Sequence, residues 1–203
     1  MQTPPLTPWR MLKGLSMIIA PLLLGASTFF WHKGEYGITG GTVIVLSMIF
    51  WIPAFGALFQ LLKNELPYYA SFGYLVAIFG CISGANFGIA GVFSEAFGIS
   101  HQIYLTKAAF HALAFNILLF WSGPLFPLSL LVLGILLAVK KVLPIWVGIL
   151  ICLGAIVFPL SRIPRIEIIA HIADILLAIP LIFTGVGYLS GVLIHASSRA
   201  AIK

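Results

Sequence analysis

Residues 40–62 read GGTVIVLSMIFWIPAFGALFQLL. No residue in this run is charged, and it exceeds the roughly 20 apolar residues that carry a helix across a bilayer core. Pro53 inside it predicts a kink, because its ring blocks a backbone hydrogen bond and crowds the preceding turn. Upstream, the polar stretch His32-Lys33-Gly34-Glu35-Tyr36-Gly37 separates it from an earlier apolar run. Downstream, Lys63-Asn64-Glu65-Leu66-Pro67 closes a hairpin into the next. Repeating this reading along the chain gives apolar runs over 14–31, 40–62, 68–94, 100–121, 125–139, 144–160 and 166–194. They predict an all-α polytopic integral membrane bundle of about seven transmembrane helices, forming a single transmembrane domain over residues 1–203. Six is the alternative, since 125–139 and 144–160 are short for a crossing. Lys140 and Lys141 between them are costly at mid-bilayer, which favours a hairpin of two short helices.

Composition agrees. Of 203 residues, 61% are hydrophobic and 8% charged, against roughly 25% charged in soluble domains. A water-soluble fold of this size has too little interior for so much apolar surface. The first run is read as a retained helix rather than a signal peptide, given its length and the spans that follow. The basic tail His195–Lys203 is expected in water. The net charge of +6 comes from dispersed Lys and Arg, with no basic stripe, so nucleic acid is not an expected partner. Cys81 and Cys152 sit in apolar runs without a CxxC partner and read as free thiols. The string FPLS recurs at 126–129 and 158–161, too little to establish a duplication.

With seven spans, Arg10, Lys13, Lys63, Arg162 and Arg165 fall on one side, and Lys33, Lys140, Lys141, Arg199 and Lys203 on the other. Equal counts leave the positive-inside rule undecided. On the third span, Gly80, Gly84 and Gly88 share one helix face and predict a packing seam where another backbone approaches closely.

Ionisable groups inside spans are expensive, which makes them functional candidates. Glu167, His171 and Asp174 stand at i, i+4 and i+7 on the last run, and Tyr104, Lys107 and His111 at i, i+3 and i+7 on the fourth. Each set occupies one helix face. If those faces meet, they form a polar ladder with Asn86 of the third span close by. The competing reading is interhelical hydrogen bonding with no solute involved, worth under ~1 kcal/mol per bond in membranes.

The leading functional expectation is a small integral membrane protein, in a plasma or inner membrane, that binds or translocates a small solute, ion or proton through Asp174, His171, His111, Lys107, Glu167 and Asn86. The bilayer is its expected partner. The second reading is a non-transporting subunit: a structural partner in a homo-oligomer or larger membrane complex, or an anchor holding haem b between His111 and His171, since two imidazoles ligate iron axially. The third is a metal-dependent enzyme using Glu167, His171, Asp174 and His111, a set zinc accepts but without an HExxH motif. An enzyme is the less expected outcome: GxGxxG, Walker and GxSxG patterns are missing. The last span also has no lysine for a retinal Schiff base.

Overall fold

A computed structural model describes residues 6–32 and 34–191. The end of the expected 166–194 span, the tail from His195, Lys33, Arg199 and Lys203 lie outside them. The chain is 83% helical without strands among the described residues. Its helices are α1 (Pro8–Thr28), α2 (Gly37–Leu62), α3 (Pro67–Ala96), α4 (His101–Phe110), α5 (Ala112–Phe115), a π-helical segment (Asn116–Phe120), α6 (Leu125–Val139), α7 (Ile145–Arg162) and α8 (Glu167–Ser190).

Six segments are long and apolar enough to cross a membrane: α1, α2, α3, the stretch Ala112–Val139, α7 and α8. The sequence reading of seven differs from this at residues 100–139. Gly123-Pro124 reads as a chain reversal, yet hydrogen bonds step through it: Trp121 N donates to Asn116 O, Gly123 N to Leu119 O, and Leu125 N to Ser122 O. Pro124 lacks an N–H and sits as the N-cap of α6, where no donor is needed. The run therefore continues as one kinked crossing. The expected fourth span breaks instead at His111 (φ −123°, ψ 41°), which ends α4.

Each long helix packs on its neighbours in the chain: α1 on α2, α2 on α3, α3 on α6, α6 on α7, α7 on α8, and α8 back on α1. Short turns make successive spans antiparallel, so the six close into a ring. Trp51, Phe55, Phe126, Met17, Leu130 and Leu177 fill its centre, each at most 3% exposed.

The polarity of α8 is inverted relative to a soluble helix. Ile168, Ile172, Ile175, Ile179, Phe183 and Val186 lie outside, whereas Ala170, Ala173, Asp174, Thr184 and Gly185 lie inside. An outer face more apolar than the inner one suits lipid as the surrounding solvent. The six apolar helices and this inverted face identify an integral membrane protein.

Where α1 begins and α8 finishes, Arg10 donates to Tyr188 O (3.0 Å) and Leu189 O (2.6 Å). This places a cation on carbonyls that the end of α8 leaves open, where the helix dipole favours it. Gly191 (φ 81°) makes the left-handed turn that terminates α8. Lys13 Nζ and the Tyr188 hydroxyl both donate to Gln60 Oε1, at 2.7 and 2.9 Å, tying α1, α8 and α2 together.

The three α3 glycines address two partners. A Cβ at Gly80 would stand 2.5 Å from Phe126 N at the start of α6; one at Gly84 would meet Met48 Sδ of α2 at 2.6 Å; one at Gly88 would meet Gly41 O at 2.7 Å.

Candidate functional site

Seven residues into α8, Asp174 faces the interior at 3% exposure. Across from it, α7 ends in Arg162, whose side chain is 11% exposed. Arg162 Nη2 donates to Asp174 Oδ1 at 2.8 Å, and Thr28, the last residue of α1, donates from Oγ1 to Asp174 Oδ2 at 2.7 Å. Both carboxylate oxygens are thus engaged. Arg162 also reaches Thr28 Oγ1 and Ser161 Oγ, each at 3.2 Å. Its guanidinium lies over the rings of Trp31 (5.0 Å) and Phe158 (4.8 Å), a desolvated setting that strengthens cation–π attraction.

Two buried donors at this cluster have no hydrogen-bond partner among the described residues: Arg162 Nε and Trp31 Nε1. Burial of an N–H without an acceptor costs about 1–3 kcal/mol. The Tyr36 phenol, in the loop before α2, has its pKa pushed up by burial, with Arg162 opposing the shift. His171, one turn before Asp174, packs its ring on Phe29 at 4.4 Å and lies 3.7 Å from Glu167.

Outside this cluster, Arg165 Nη1 donates to Glu35 Oε1 at 2.7 Å, with His101 Nδ1 3.6 Å from the same oxygen. Glu95 accepts from Ile38 N at the start of α2. These contacts join the α1–α2 loop to the start of α4 and the α7–α8 turn, and the end of α3 to the start of α2. Exposed pairs contribute little, so Arg165→Gln is expected to change unfolding free energy by under ~1 kcal/mol in a detergent melt.

The residues singled out in the sequence divide between two places. Asp174, His171 and Glu167 lie at the α1–α7–α8 cluster. Lys107 and His111 are exposed on and just after α4, whose neighbour is α5. Asn86 of α3 donates to Leu118 O at 3.1 Å. The charge partner of Asp174 is Arg162, not Lys107, and the ladder between the two faces is not formed. His111 and His171 stand in different clusters, and no group of three or more His, Cys, Asp or Glu suited to a metal occurs among the described residues. The sequence reading missed Arg162, Thr28 and Trp31. Arg162 looked like a turn residue, and the only hint was a cation directly ending an apolar helix.

No protein-family model, curated protein or solved structure matches this chain.

Proposed function

We propose that this membrane protein binds a small solute, ion or proton at the Arg162–Asp174–Thr28 cluster and moves it across the bilayer. The observation that carries the reading is a buried ion pair, Arg162–Asp174, within a membrane bundle, an arrangement that is costly in lipid and marks a functional candidate. Asp174 is the anionic member and Arg162 its counter-charge, with His171 one turn away along α8. Phe158, which lies under the Arg162 guanidinium, continues into the aromatic core of Phe126, Trp51 and Phe55.

The test is proton flux in proteoliposomes carrying an internal pH dye, with thermal shifts in chloride, phosphate and acetate as the binding arm. Wild type should exceed empty liposomes in flux or show an anion-dependent rise in Tm. Asp174→Asn should abolish that response and His111→Ala should leave it unchanged. The opposite pattern would return the site to α4.

Six crossings also break the charge tie. Among the described residues, Arg10, Lys13, Lys63, Lys140 and Lys141 lie at the end where α1 begins and α8 finishes, and Lys107, Arg162 and Arg165 at the other. Five against three favours a cytoplasmic position, in a plasma or inner membrane, for the end where α1 begins and α8 finishes, with the Arg162 cluster towards the outer side. With Cys81 and Cys152 replaced by serine, an impermeant maleimide added to intact cells should label Gln102→Cys and spare Asn64→Cys. The reverse labelling would invert the orientation.

A further inference from the structure

A second site lies apart from the ion pair. Between α3, α4 and the π-helical segment runs a cleft of ≈ 340 Å³ lined by Asn86, Phe93, Ser94, Tyr104, Phe115 and Leu118 among others. Asn86 is 19 residues beyond the start of α3 at Pro67, which at ~1.5 Å per residue is about 28 Å along the helix. A hydrocarbon core is about 30 Å thick, so the cleft begins where acyl chains give way to headgroups. Its walls are almost wholly apolar, as an acyl chain requires, with Asn86, Ser94 and Tyr104 supplying the polar side chains.

Charge points to an anionic headgroup. Between Ala96 and Ile166 the chain has no Asp or Glu, and Glu95, next to Ser94 of the cleft wall, is engaged by Ile38 N of α2. On α4, Lys107 is exposed, stands one turn beyond Tyr104 on the same helix face, and forms no ion pair among the described residues. His111 follows a further turn along. The π-helical segment beside the cleft is a local departure of the kind that recurs at functional sites.

We propose that this cleft is a binding site for an anionic glycerophospholipid, with one acyl chain against Phe115 and Leu118 and the phosphate at Lys107. Occupancy requires nothing of the Arg162 cluster, so the two proposals succeed or fail separately.

Native mass spectrometry of detergent-purified protein, with equimolar phosphatidylglycerol and phosphatidylcholine of matched chains, reads the selection. One phosphatidylglycerol should be retained with about fivefold preference, the ratio that one lysine near an anionic headgroup supports. Lys107→Gln, an exposed change that leaves the fold intact, should keep lipid bound but lose the preference. Ala90→Trp, which fills the cleft wall, should lower retention of both lipids. Equal retention of the two lipids by wild type, or unchanged preference in Lys107→Gln, would overturn the proposal. Displacement by glycerol 3-phosphate, which has no chains, would also overturn it by pointing to a free phosphate ligand.

Discussion

Replacing Asp174 by leucine is expected to destabilise the protein by about 3–5 kcal/mol, the range for removing one partner of a buried ion pair. The cost arises because Arg162 keeps its charge, and its 11% exposed side chain gains little water in exchange. Thr28 also loses the carboxylate oxygen to which it donates at 2.7 Å. Arg162→Met should cost a similar amount for the opposite reason, leaving a carboxylate in an apolar interior. The double variant Arg162→Met/Asp174→Leu should recover most of the loss, because apolar groups of similar volume replace such pairs with little penalty. Melts in detergent of the wild type, the two single variants and the double variant measure this directly. Additive losses in the double variant would mean that the two residues do not act as a pair.

The second large effect concerns close approach of helices. Gly80→Ala should lower Tm far more than Gly84→Ala, although both gain the same helix propensity, about 1 kcal/mol over glycine. A methyl at Gly80 meets the Phe126 backbone, N at 2.5 Å and Cα at 2.8 Å, so α3 and α6 have to separate. At Gly84 the obstacle is the Met48 side chain, which is flexible and turns aside. Overpacking costs typically ~1–3 kcal/mol and more where backbone has to move. Comparable melting points for the two variants would remove the distinction.

The physics that makes a membrane span visible is local, which is why residues 40–62 and the hairpins at Lys63–Pro67 and Lys140–Pro144 were readable from the chain. The same locality explains the error at Gly123-Pro124. Dipeptides of this kind punctuate soluble chains, but within a crossing every exposed backbone group has to find a partner, so the chain bridges the break with a kink. Spacing correctly put Glu167, His171 and Asp174 on one face of α8. Which helix that face meets is decided by ring closure, which brings α1 and α7 to it, and no periodicity encodes that order. Arg162 was overlooked because a cation at a helix end ordinarily reaches water or headgroups. Here Trp31 and Phe158 cover it, and Trp31 lies 131 positions away in the chain.

The double variant Arg162→Met/Asp174→Leu also gives the most direct test of the function assigned to the cluster, since it removes the charges while keeping the bundle folded. It should melt close to wild type yet lose the proton flux, or the anion-dependent rise in Tm, that wild type shows. A folded double variant with an undiminished response would mean that the buried pair only holds α1, α7 and α8 together.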